Sequence, residues 1–264
     1  MMSYTKSIEK ARVIFKENEM KKIQVEGKVA FVSGSNRGIG QALTIALLEH
    51  GAKKVYAGAR NITKLKSLKS CYGDRLVPVE LDVTSDQSIT NAANLATDVE
   101  ILVNNAGIFS VGNFLNGNLL ESLHTNFEVN VWGLVKLTHA FLESLRAKDA
   151  AAIVCVSSII GLASMPMGLT YCASKAAVHS VIQGLRGELK DSKILVSGVY
   201  PGPIDTDMTK ELEMDKDSPE NVAENIIKGL IAGVEDIFPD SMSSEVGKAY
   251  FESPKAVESK FSGF

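Results

Sequence analysis

Tyr171 and Lys175 stand four positions apart in Tyr171-Cys172-Ala173-Ser174-Lys175, so a helix through this segment carries both on one face. An ammonium held there favours phenolate over phenol and draws the tyrosine from its ordinary pKa of ~10 towards neutrality. That makes Tyr171 a candidate general acid or base. Ser158 follows the apolar run at 153–156, where a hydroxyl can donate to a substrate oxygen and hold it near Tyr171. Taken singly these residues have plainer uses, since Tyr/Lys pairs are common on surfaces and a serine at a strand end often caps a turn. Together they form a set able to move a proton to or from a bound oxygen.

A second set can hold a phosphate. Ser33-Gly34-Ser35-Asn36-Arg37-Gly38-Ile39-Gly40 joins an apolar run to a helical pattern that begins at Ile39. A dinucleotide pyrophosphate needs such a turn, open to close backbone approach, followed by a helix N-terminus whose N–H groups and dipole favour anions. Gly34, Gly38 and Gly40 supply it in the spacing GxxxGxG, with a tight turn that binds nothing as the competing reading. Leu81-Asp82-Val83 and Asn104-Asn105-Ala106-Gly107 close two later apolar runs. There Asp82 can accept from an adenine amino group, while Asn104 and Gly107 can stabilise the turn beside it. An Asx turn or a helix cap accounts for either motif equally well.

The elements that must position these groups follow from an alternation of short β-branched runs with amphipathic stretches from Lys28 onward. Strands are expected at 29–32, 55–59, 76–81, 101–103, 153–156, 194–199 and 236–238. Helices are expected at 39–50, 62–70, 86–96, 121–145, 173–189 and 219–233. The result is an α/β fold in a single domain: a Rossmann-like, doubly wound, seven-stranded parallel sheet with helices on both faces. The candidate groups then cluster at carboxyl strand ends, where such sheets bind ligands. The domain is expected to occupy residues 25–264, preceded by an extension at 1–24. In that extension Ile8, Ala11, Ile14 and Phe15 recur at helical spacing, and Met20 is a candidate physiological start.

Composition narrows the partners. A chain of 264 residues that is 45% hydrophobic and 22% charged can build one large core. Its net charge of -3 and pI of about 5.9 give no attraction to nucleic acid or anionic lipid, so small molecules are the expected ligands. The stretch between Asp149 and Lys175 has no charge, but Ser157, Ser158, Gly161, Ser164, Pro166 and Gly168 suit it poorly to a membrane helix. Charged residues interrupt every candidate signal-peptide core near the N-terminus. Cys71, Cys155 and Cys172 lack the spacing of a disulfide framework or zinc site and suit a reducing cytoplasm. Cys155 and Cys172 are read as packing residues. His124, His139 and His179 show no ligand spacing, so no metal is expected.

From about Val25 to the C-terminus the sequence resembles the short-chain dehydrogenase/reductase family. The resemblance rests on the glycine motif, with Ser33 where threonine is usual, on Asn104-Asn105-Ala106-Gly107, and on Asn130, Ser158, Tyr171, Lys175 and Pro201-Gly202, all in the family's order. The interval of 13 positions between Ser158 and Tyr171 is also the family's. It implies hydride transfer between a nicotinamide and a small carbonyl or alcohol, with Asn130, Ser158, Tyr171 and Lys175 catalytic. Lys175 would also bind the nicotinamide ribose, and Asn130 would hold a water in a proton relay. The implied cofactor contacts are Gly34, Ser35, Asn36, Arg37, Gly38, Ile39 and Gly40, then Asp82, Val83, Asn105, Ala106 and Gly107, with Tyr171 and Lys175. Pro201, Gly202, Ile204 and Thr206 would meet the carboxamide. A homodimer or homotetramer is implied too, built on the long helices that carry Phe127, Trp132, Val178 and Leu185.

The expected cofactor is NADP(H). Ala59 ends the second strand where an acid would bond the adenine ribose and repel a 2′-phosphate. Arg60 follows it and Arg37 lies in the glycine turn, so both guanidinium groups can reach that phosphate, unless they are merely solvated. Two alternatives stay open: a 3-oxoacyl-thioester reductase of the same family, and a non-catalytic NADP-binding regulator. The second should show gaps among Asn130, Ser158, Tyr171 and Lys175, and none is missing.

Overall fold

β1 (Val29–Ser33), β4 (Ile101–Asn104), β5 (Ala151–Val156) and β6 (Ile194–Val199) are buried along their whole lengths. Strands without alternating burial are covered on both faces, as crossover helices require in a parallel sheet. The computed structural model describes residues 21–115 and 117–263 and has that architecture. β2 (Lys54–Ala59), β3 (Leu76–Glu80) and β7 (Asp236–Ile237) complete a seven-stranded sheet of order β3-β2-β1-β4-β5-β6-β7, parallel throughout. The expected helical face at Ile8 to Phe15 and the start at Met20 lie outside the described residues.

Among the described residues the helices are α1 (Gly38–Glu49), α2 (Lys66–Tyr72), α3 (Asp86–Leu95), α4 (Leu119–Asn126) and α5 (Gly133–Arg146). They continue with α6 (Leu169–Glu188), α7 (Pro219–Ala232), α8 (Ser241–Glu252) and α9 (Pro254–Ser262). On one face Leu43 and Leu47 of α1 meet Val222, Ile226 and Leu230 of α7 over Val55 and Ala57. Ile23 is buried in the same cluster, and Lys21 Nζ donates to the Leu189 carbonyl at 2.7 Å. On the other face α3, α5 and α6 place Ile89, Leu137, Phe141, Val178 and Ile182 over Phe31, Leu102 and Ile153. The burial of Val178 removes it from the surface expected to drive assembly, while Trp132 is 51% exposed.

Three departures from the expected boundaries matter. α6 starts at Leu169 rather than 173, because Pro166 opens a 3-10 turn that feeds the helix, and Tyr171 therefore sits within it. The long helix expected at 121–145 starts at Leu119 and widens into a π-helix over Phe127–Trp132. Such widenings are frequent at functional sites, and this one carries Asn130. The C-terminal helices α8 and α9 were not expected, since Asp240 and Ser243 form a capping box that lacks the usual Glu or Gln partner.

The sheet order creates the crevice. After β3 the chain returns to the far side of β1 to form β4, so connections leave the carboxyl ends of β1 and β4 in opposite directions.

Candidate active site

The glycine turn lies at that crevice and has little room for side chains. Gly34 has φ +73° and Gly38 φ +53°, in the left-handed region that glycine adopts without cost. A Cβ on Gly40 would stand 2.2 Å from the Gly34 carbonyl oxygen and 2.3 Å from Asn105 Nδ2. Arg37 at the N-cap of α1 makes no side-chain capping bond. A helix start of this kind favours an anion through its unpaired N–H groups and dipole.

Ser33 and Asn105 hold the ends of β1 and β4 together. Ser33 Oγ accepts from the N–H groups of Asn105 and Ala106, each at 3.0 Å, and Asn105 Nδ2 donates to the carbonyls of Ser33 at 2.9 Å and Gly34 at 3.3 Å. The turn-stabilising role expected of Asn104 therefore belongs to Asn105. Strand alternation points Asn104 the other way, where its Nδ2 donates to Thr138 Oγ1 at 2.9 Å. Asp82 Oδ1 accepts from the N–H and hydroxyl of Thr84 at 2.9 and 2.8 Å, and these bonds hold its carboxyl below the usual range.

A cleft of about 1450 Å³ runs from this turn along the carboxyl ends of the strands. It is lined by Gly34, Arg37, Arg60, Asp82 and Gly107 at one end and by Ser158, Tyr171 and Lys175 further along. Ser158 Oγ donates to the Pro201 carbonyl at 3.2 Å, which ties the end of β5 to Pro201-Gly202 after β6. Asp240 Oδ2 accepts from Gly202 N at 2.9 Å. The hydrophobic reading of the chain offered no sign of that bond, because 38 residues separate its partners.

Tyr171 is 8% exposed, with the edge of Phe109 against its ring at 5.0 Å between centroids. Burial pushes its phenol up, opposite to the expected depression by Lys175. The reason is geometric: Lys175 Nζ donates to the Val156 carbonyl at 2.8 Å and stands 5.6 Å from the tyrosine ring centroid. Burial lowers the lysine itself to about 8. Burial also raises the Cys155 and Cys172 thiols, which agrees with their reading as packing residues.

Asn130 stands behind the cleft wall. Its Oδ1 accepts from Ile108 N at 2.9 Å, and its Nδ2 donates to Ile108 O at 3.1 Å and Ser174 Oγ at 2.9 Å. It thereby clamps the loop after β4 to the helix that bears Tyr171. A Cβ on Gly107 would lie 3.2 Å from Asn130 Oδ1 and 3.8 Å from Lys175 Nζ, so Gly107 is a near neighbour of both. Arg37 donates to Asp207 at 3.0 Å in an exposed ion pair, a partner not anticipated for a phosphate-reading arginine. Among the described residues no group of His, Cys, Asp or Glu could hold a metal, and no helix is long and apolar enough to cross a membrane.

This combination of doubly wound sheet, glycine turn and Ser/Tyr/Lys cleft defines a class, and the chain matches the short chain dehydrogenase family over residues 28–217. It belongs to that family. It is 33% identical over 193 residues to retinol dehydrogenase 8 of Bos taurus, across 70% of this chain and 62% of that protein. It is 34% identical over 194 residues to the 3-oxoacyl-(acyl-carrier-protein) reductase FabG of Vibrio cholerae, across 72% of this chain and 79% of the relative. A solved short chain dehydrogenase from Burkholderia cenocepacia, in complex with NADP, superposes with a TM-score of 0.84 at 33% identity, covering 90% of this chain and 99% of that one.

Proposed function

We propose that this protein is an NADP(H)-dependent oxidoreductase that interconverts a small carbonyl compound and its alcohol in the reducing cytoplasm. The observation that carries the reading is the convergence of Ser158, Tyr171 and Lys175 in one cleft with the glycine turn. The complete set of polar residues weighs against a regulator that has lost catalysis.

The residues fit a dinucleotide: a Cβ at Gly40 would collide with the turn's own backbone, and the backbone from Gly34 to Gly40 is open to close approach by a pyrophosphate. Ser35, Asn36 and Ile39 belong to that turn. Asp82 and Val83 would hold the adenine, Asn105 to Gly107 would back the central ribose, and Lys175 would bind the nicotinamide ribose. Pro201, Gly202, Ile204 and Thr206 would contact the carboxamide. Arg60 and Arg37 would read the 2′-phosphate, in line with the NADP held by the Burkholderia cenocepacia relative. When bound in its reduced form, the nicotinamide supplies the hydride that the carbonyl carbon accepts.

When a carbonyl substrate binds, the Ser158 hydroxyl turns from the Pro201 carbonyl to donate its hydrogen bond to the substrate oxygen and orients it towards Tyr171. The buried phenol keeps its proton until charge develops on that oxygen, and then transfers it, leaving the alcohol. Lys175 stabilises the phenolate that remains, and Asn130 lets a water refill the proton. A dimer or tetramer is part of the proposal, with exposed Trp132 on the helical face as its support. Consumption of NADPH and NADH against a panel of aldehydes and ketones tests the reading; no turnover of any carbonyl with either cofactor would sink it.

A further inference from the structure

Part of the cleft lining has a distinct, apolar chemistry. The chain has eight methionines, of which Met1, Met2 and Met20 lie outside the described residues. The other five, Met165, Met167, Met208, Met214 and Met242, all line this cleft, and Phe109 joins them beside the phenol. They come from the segments after β5 and β6 and from α8, so no local pattern gathers them. Met167 is 70% exposed and Phe109 40%, a concave apolar surface of the kind that marks a ligand site. Methionine is flexible and polarisable, and it adapts to varied apolar shapes.

Charge limits the occupant further. The loop after β6 is closed at its base by a bridge between Ile204 and Asp217, and within it carboxylates outnumber lysines six to two from Asp205 to Asp217. Glu211, Asp215 and Asp217 line the cleft, against Lys216 on the same loop and Lys260 on α9. Arg37 of the glycine turn is already paired with Asp207 on this loop. An anionic substrate arm entering here meets a predominantly acidic rim, where like charges oppose binding.

We propose that the substrate is a bulky, uncharged, predominantly apolar ketone or its secondary alcohol, seated against Phe109 and the methionines, rather than a phosphate-bearing 3-oxoacyl thioester. The inference rests on the oxidoreductase reading given above. The cleft exceeds the ~300–1,000 Å³ of an ordinary ligand site, which leaves room for such a molecule beside a dinucleotide.

Three probes test it with the full-length enzyme and NADPH: 1-tetralone, 2-butanone and S-acetoacetyl pantetheine 4′-phosphate. One methylene in an apolar pocket changes kcat/KM by roughly 10-fold or more, so 1-tetralone should exceed 2-butanone by at least about tenfold and should also exceed the thioester. Replacing Met208 and Met214 by glutamine keeps side-chain length at two partly exposed sites. Met208→Gln with Met214→Gln should raise KM for 1-tetralone severalfold and change that for 2-butanone by a much smaller factor. A thioester that outpaces 1-tetralone, or a paired variant that treats all three probes alike, overturns the inference while leaving the oxidoreductase reading intact. If nothing is reduced, that reading fails instead, and calorimetric binding of the same probes to the protein decides the inference. Binding of 1-tetralone in preference to the thioester supports it, and the reverse order overturns it.

Discussion

Two parts of the cleft lining are built from different materials. The glycine turn is backbone and short polar side chains, locked by Ser33 and Asn105 across adjacent strands, with contacts too tight for a methyl group at Gly40. The apolar part of the lining is long, flexible side chains brought from separate segments. A pyrophosphate always has the same shape, so its cradle can be rigid and short-range. On the proposed reading, a substrate wall of methionine can change without disturbing the sheet and carries selectivity in side chains instead of backbone. Between them sit Ser158, Tyr171 and Lys175, which must serve both.

That middle position predicts the largest effect. Tyr171→Phe keeps the ring against Phe109 and removes the transferable proton, so turnover should fall by ~10²–10⁴ while NADPH affinity stays nearly intact. Lys175→Met should damage both. Steady-state kinetics paired with a cofactor titration separates the two variants, and near wild-type turnover by the phenylalanine variant would refute the assignment.

The rigid end can be broken selectively. Ala59→Asp combined with Arg60→Gln adds repulsion for a 2′-phosphate and removes one attraction. A hydrogen bond to a charged group contributes ~1.5–3 kcal/mol, so the ratio of kcat/KM for NADPH over NADH should move by about 10- to 100-fold towards NADH. An unmoved ratio, or a wild-type enzyme that prefers NADH, shows that these positions do not read the phosphate.

A smaller effect follows from protonation. Burial depresses the Lys175 ammonium to about 8, so the lysine is charged below that pH and neutral above it. Its help in stabilising the phenolate is then present at lower pH and lost as pH rises through about 8. Carbonyl reduction at saturating cofactor should decline there by up to about tenfold per pH unit, since one proton is lost. The Lys175→Met variant should lack this limb, and a pH–rate profile that keeps it would assign the titration to another group.

The smallest predicted effect sharpens the boundary between the two ends. Asp207, on the acidic loop, competes for Arg37 through an exposed ion pair, and such pairs contribute ~0.2–1 kcal/mol. Asp207→Asn should therefore tighten NADPH by no more than about fivefold and leave NADH unchanged. Equal tightening of both cofactors, measured by fluorescence titration, would mean that Asp207 does not act through the phosphate.

Much of this was legible in order along the chain. The β-branched runs located all seven strands, and the spacing of Gly34, Gly38 and Gly40 and of Tyr171 and Lys175 located the glycine turn and the helical pair. These signals are local: strand burial, glycine at tight approaches and an i, i+4 pair depend on a few neighbouring residues. Two boundaries were missed where a local rule yielded to tertiary contact. The widening at Phe127–Trp132 accompanies the clamp of Asn130 on Ile108 and Ser174, and α8 begins on a cap whose side chain also holds Gly202.

The sequence by itself therefore determined the sheet, the glycine turn and the pairing of Tyr171 with Lys175 on one helix, because each is written within one strand, turn or helix. Only the tertiary structure decided which of two adjacent asparagines braces the turn, that Lys175 bonds Val156, and that five methionines scattered between residues 165 and 242 line one cleft. Those outcomes depend on which segments meet at the carboxyl ends of the strands. Side-chain direction and burial at such a meeting come from partners distant in sequence, and spacing along the chain carries no record of them.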